Sequence, residues 1–243
     1  MWAIYRKEII AFLSSITGYL VISVFLVLLG LFMWVFPDTS VLHYNYATLA
    51  QLFDLSPFIF LFLIPAITMR TFSEEFQAGT IELLSTKPLT DFKIVMGKYL
   101  AVVSLVIFAL LPTLLYFYSI YDLGSPRGNI DTGAVWGSYF GLVLLGATFS
   151  AIGVFASSLS SNQIVAFLLA VVLSFLLYLS FQYLSKLPVF YASIDDSIQS
   201  MGMEYHYASL SKGLIDSRDL IYFFSLIGFF LFCTQIKLSS RRW

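Results

Sequence analysis

Stretches of about twenty residues with almost no charged side chain recur along this chain, and that pattern leaves few architectures open. ITGYLVISVFLVLLGLFMWVF (16–36) is one of them. At 1.5 Å rise per residue such a run crosses a hydrocarbon layer roughly 30 Å thick. Backbone in lipid finds no water to bond, so it must satisfy its own hydrogen bonds as helix. Spans are predicted at 17–36, 55–72, 94–120, 134–157, 163–184 and 220–236. Composition agrees: 59% of residues are hydrophobic and 11% charged, against about 25% charged in soluble domains. The prediction is an all-α polytopic membrane protein forming a single unit over 1–243, with too little chain left for a separate soluble domain. Cys233 is the one cysteine, so no disulfide can form within the chain.

Net charge is only −1, which gives no reason to expect a nucleic-acid partner, and the placement of the charges matters more than their sum. With both termini inside, Arg6, Lys7, Arg70, Lys87, Lys93, Lys98, Lys237, Arg241 and Arg242 fall on the cytoplasmic side. Arg127, Lys186, Lys212 and Arg218 remain outside. Basic residues are retained in the cytoplasm during insertion, so nine against four favours this orientation in a cytoplasmic (inner) membrane. The N-terminal MWAIYRKEIIAFLSS lacks a signal peptide's order of basic tip, apolar stretch and small-residue cleavage site, and is expected to be retained.

Three segments outside the spans carry structure of their own. Over 1–15, Trp2, Tyr5, Ile9, Phe12 and Leu13 share one helical face while Arg6 and Lys7 lie off it, the pattern of a helix lying in the membrane interface against lipid. The 73–92 connection, beginning SEEFQAGTIELLSTKP, reads as a cytoplasmic helix. Ser73 is expected to cap it, Glu74 and Glu75 to occupy its first turn, and Gly79 to end it. Thr80 caps a second short helix that stops before Pro88. Glu75 and Glu82 are placed toward the cytoplasm, and Phe76, Leu83 and Leu84 toward the core. Thr90 or Asp91 caps the third span, which Pro112 allows to kink. Across 185–219, apolar residues at helical spacing predict short external helices that re-enter the outer leaflet without crossing it. In the fourth span, Gly146/Ser150 and Gly153/Ser157 form small-xxx-small pairs, read as packing within one subunit.

PAITMRTFSEEFQAGTIELLSTKPLTDFKIVMGKYL (65–100) resembles the most recognisable segment of the ABC-2 type exporter permeases. The family pattern falls on Arg70, Glu74, Glu75, Gly79, Thr80, Glu82, Leu83, Leu84, Pro88, Gly97 and Lys98. Residues 5–25 and 206–224 resemble the family's entry segment and its approach to the sixth span. Among such permeases the chain is most similar overall to the gliding-motility-associated ABC permeases of Bacteroidota. The resemblance implies two ATPase subunits, each receiving the helix at 73–86 in a groove. It also implies a second permease chain, identical or different, that meets this one along the first and fifth spans. Arg70, Glu74, Glu75, Gly79, Thr80, Glu82 and Pro88 would couple to the ATPase, and Phe190, Ile194, His206 and Gly213 would flank an external gate.

No G-x-x-x-x-G-K-[ST] phosphate loop occurs, so ATP and Mg²⁺ are expected on the partner and no cofactor on this chain. His43 and His206 lie far apart and are read as hydrogen-bonding loop residues, not metal ligands. Charges are missing from the middle of every span, which argues against an ion-coupled carrier. The expectation is a permease subunit of an ATP-driven exporter, not itself an enzyme. The runner-up is a subunit that transmits ATP-driven motion to an envelope partner without moving a solute. In a Cys233→Ser background, cysteines placed at Ser161 and at Arg127 should react with an impermeant maleimide from opposite sides of the membrane. Labelling of position 161 in intact spheroplasts would reverse the orientation.

Overall fold

The computed structural model describes residues 1–43, 46–81, 90–187 and 195–240. Six helical stretches are long and apolar enough to cross a membrane: Ile16–Trp34, Ala50–Gln77, Asp91–Leu123, Thr132–Leu159, Gln163–Ser185 and Ser217–Ser239. Each contains or closely overlaps a predicted span. A short helix, α1 (Trp2–Leu13), precedes α2 (Ile16–Trp34). The second stretch comprises α3 (Ala50–Thr68) and α4 (Ser73–Gln77), and the third comprises α5 (Asp91–Leu110) and α6 (Leu114–Leu123). Then follow α7 (Thr132–Leu159), α8 (Gln163–Phe175), a π-helical segment (Leu176–Ser180), α9 (Phe181–Ser185), α10 (Asp195–Gln199), α11 (Met203–Leu210) and α12 (Ser217–Ser239).

Most of the long helices open on a polar side chain, because the first turn of a helix leaves backbone N–H groups without partners. Ser15 accepts from the Gly18 amide, Thr90 from Lys93, Asp131 from Ala134, Asn162 from Ile164 and Val165, and Asp216 from Arg218. Thr90 is thus the predicted cap of the third span. Pro112 turns that span through a 3₁₀ segment, Leu111–Thr113, before α6 continues. Pro57 removes the N–H that would have bonded the Phe53 carbonyl. The Tyr207 hydroxyl, from α11, donates to that carbonyl at 2.8 Å instead. A helix irregularity in α3 thereby becomes an anchor for a segment 154 residues away.

The most enclosed span is α7, which packs against α3, α5, α8, α11 and α12. Its small residues explain why. A Cβ on Gly153 would lie 2.2 Å from Thr68 Oγ1, and one on Gly146 would lie 2.9 Å from a Val106 methyl. The small-xxx-small pairs therefore serve packing within the subunit, as predicted. The two ends of the bundle differ. Helices α1 and α4, the starts of α5 and α8 and the end of α12 share the basic end, where Ser239 Oγ meets Asp91 Oδ2 at 3.1 Å. At the opposite end lie two short helices, α10 and α11; Met203, Tyr207 and Leu210 of α11 are buried. Gly213, at φ +80°, follows α11 with its backbone against Ala134 and Gly137 of α7.

Gly153→Ala should destabilise by about 1–3 kcal/mol, because the new methyl has no room. Around Gly228, on α12, the space a Cβ would take is open, with nothing within 4 Å, so Gly228→Ala should gain up to about 1 kcal/mol of helix propensity. Thermal unfolding of both variants in detergent should show shifts of opposite sign.

Candidate functional site

A lysine ammonium has three N–H donors and a charge that is costly to remove from water, so a buried one needs acceptors on every side. Lys98, two turns into α5, is 1% exposed. Its Nζ donates to Glu8 Oε1 at 2.7 Å and to the Thr71 carbonyl, and it lies 3.0 Å from Glu75 Oε1. The Phe72 ring, 5.0 Å away, covers it further. Lys7 Nζ reaches the same Glu75 Oε1 at 2.8 Å. Two cations and two carboxylates thus balance in charge while joining α1, the turn after α3, α4 and α5. Glu75 Oε2 is buried with no hydrogen-bond partner among the described residues. Burial pulls the Lys7 ammonium down in pKa, but its hydrogen bond to Glu75 and the charges of Glu75, Glu8 and Glu74 outweigh this and raise it. Its share of the stabilisation is therefore fully present below the ordinary lysine range and lost only at more alkaline pH.

A second connection lies beside the first. Arg70 Nε meets Glu74 Oε2 at 3.0 Å, while its Nη1 donates to Thr17 Oγ1 at 2.9 Å, tying α2 to α4. Ser157, near the end of α7, provides a third: its hydroxyl oxygen accepts from the Phe72 and Ser73 amides and donates to the Met69 carbonyl. Helix α4 is consequently capped by another span. Ser73, expected as the cap, instead donates its hydroxyl to the Met69 carbonyl. Gly79 ends the helix as predicted, at φ +66°. Thr80 donates weakly to the Glu75 carbonyl at 3.4 Å, and the helix it was to cap lies, with Glu82, Leu83, Leu84 and Pro88, outside the described residues.

The largest correction concerns Glu75. It was placed toward the cytoplasm, but it is 6% exposed and faces Lys98. Helical geometry explains the reversal: of the adjacent glutamates only one can face outward, and the buried ammonium holds Glu75, leaving Glu74 exposed. On α1, Trp2 stacks on Tyr5 at 4.9 Å and remains largely exposed; the Tyr5 hydroxyl bonds Ser104 at 3.0 Å, and Arg6 is exposed. Ile4 is the residue of α1 that is buried, against Gly97. Sequence reasoning missed Glu8, Thr71, the capping role of Ser157 and the structural role of Lys98. A lysine opening an apolar run was a signal available for the last; nothing in sequence linked it to Glu8, 90 positions earlier.

At the opposite end His206 lies on helix α11 and not in a loop. Its Nδ1 is 2.7 Å from Asp219 Oδ1 and its Nε2 is 2.9 Å from the Ser200 carbonyl, with the ring stacked 3.9 Å from Tyr222. Ser209 donates to the other Asp219 oxygen. This clasp joins α11 to α12. Phe190 and Ile194 lie outside the described residues, and among those described no His, Cys, Asp and Glu grouping is arranged to hold a metal ion.

Residues 35–203 match the model of a family described as ABC-2 family transporter protein. That is most of the chain, which therefore belongs to this family. It is a multi-pass membrane permease component of an ABC transporter, of a kind that associates with an ABC ATPase. No curated protein matches the chain. The matched range includes α4 and Lys98; Lys7 and Glu8 precede it.

Removing one partner from a buried ion pair leaves the other charge uncompensated, at about 3–5 kcal/mol. Lys98→Met should therefore lower the unfolding midpoint sharply, and adding Glu75→Leu should restore part of the loss. Lys7→Ala, at the exposed edge, should cost at most about 1 kcal/mol. Equal effects of Lys98→Met and Lys7→Ala in thermal unfolding would contradict this ranking.

Proposed function

We propose that this chain is the membrane subunit through which two separate ATPase subunits drive export across the cytoplasmic membrane, with both termini and α4 on the cytoplasmic side. The observation that carries this reading is the way α4 is held. Its inner face is fixed by Lys98 of α5 and Lys7 of α1, and its start by Ser157 of α7. Its outer face, with Glu74 and residues 78–80, is exposed. A load applied to the outer face passes through these contacts into α1, α5 and α7 as rigid-body motion.

The roles of the two glutamates then separate. Glu74 presents charge to the ATPase and Glu75 positions the helix that carries it. ATP and Mg²⁺ reside on the ATPase, and a second permease chain, identical or different, completes the pathway. Service in gliding motility fits the overall resemblance of the sequence.

Glu74→Lys should abolish co-purification of the co-expressed ATPase while lowering the permease's stability by no more than about 1 kcal/mol, the scale of the exposed Arg70–Glu74 pair it breaks. Undiminished ATPase association and transport in this variant would remove α4 as the docking element.

A further inference from the structure

At the end of the bundle opposite α4 lies a cavity of about 210 Å³, lined by Tyr178, Gln182, Gln199, Gly202, Glu204, Tyr205 and Ala208. It opens beside the π-helical segment Leu176–Ser180, where one turn of the fifth span is widened. Such local departures from α-helix recur at functional sites.

Three features of the lining point to a ligand. Gln182 Nε2 donates to Glu204 Oε1 at 2.7 Å, fixing the carboxylate without neutralising it, and the second carboxylate oxygen has no partner among the described residues. Tyr178 is 4% exposed, and its hydroxyl is likewise without a hydrogen bond among the described residues, although rings of Phe58, Phe149 and Tyr207 hold it in place. Among the described residues no lysine, arginine or histidine lines the cavity; Lys186, whose charge acts on Glu204, lies over the Tyr183 ring instead. Burial raises the Glu204 carboxyl above its ordinary value, with Lys186 opposing. Asp54, on α3 and itself acted on by the Lys212 charge, adds negative charge on the Tyr178 and Tyr207 side.

We propose that this cavity binds an ammonium group, with Glu204 as counter-charge, the Tyr178 hydroxyl as an added acceptor and the exposed Tyr205 ring as a cation–π face. An anion would meet a carboxylate that no cation among the described residues bridges. The volume suits a headgroup, being below the roughly 300–1,000 Å³ of sites that enclose drug-sized ligands. The ammonium can come from a free amine or from a phosphatidylethanolamine headgroup, since the chemistry is shared. The site is independent of α4 and of ATP coupling.

The test uses the full chain in phosphatidylglycerol nanodiscs with n-butylammonium as probe, read by saturation-transfer NMR at pH 7.5. Saturable transfer is expected, at least tenfold weaker in Glu204→Gln, which keeps the side-chain shape, and several-fold weaker in Tyr178→Phe; unchanged unfolding midpoints confirm that both variants are folded. Because the cation needs ionised Glu204, transfer should fall as pH drops through that group's raised range, with Lys186, Tyr178, Tyr205 and Asp54 the other titratable groups around it. Nanodiscs containing phosphatidylethanolamine identify the source: competition with the probe assigns the headgroup, and undiminished transfer assigns a free amine. Equal transfer from neutral n-butanol, or transfer unaffected in both variants, overturns the proposal.

Discussion

The buried ammonium of Lys98 sets the conditions that the basic end must meet. A cation withdrawn from water is tolerable only where several acceptors converge on it, and here they come from α1, from the turn after α3 and from α4. None of these elements is long or apolar enough to be held by burial alone. Charge and hydrogen bonding do for α1 and α4 what lipid and packing do for the spans. Those bonds have directions, so they fix where the two short helices sit and which face of each is turned outward.

Rigidity elsewhere has a different origin. Helix α7 has no comparable charge; it achieves close approach through missing side chains, with Gly153 against Thr68 and Gly146 against Val106. Dispersion gains depend on such short distances. Ser157 joins the two systems, because one hydroxyl at the end of this tightly packed helix caps α4. Under the coupling role proposed for α4, a lever anchored to a stiff central helix would lose little displacement to bending. At the opposite end the Tyr207 bond to Phe53 and the His206–Asp219 clasp hold α11 to α3 and α12, so that end too is built from fixed parts.

The sequence was legible wherever the signal was local. Six apolar runs gave six spans, Thr90 and Gly79 marked helix ends, and Pro112 marked the bend. It misled where a side chain's partner lay far along the chain. Ser73 has the chemistry of a cap, yet Ser157, 84 positions away, took that role. Glu75 has the chemistry of a solvated first-turn acid, but Lys98 draws it inward.

What the sequence by itself determined is the solvent this chain prefers and the period of its structure, because hydropathy and the rise of a helix are properties of consecutive residues. Which of two neighbouring glutamates is a surface charge and which a buried counter-ion was decided only by tertiary structure. The sign and distance of a partner brought by another helix set the free energy of burying a charge, and no single segment contains that partner.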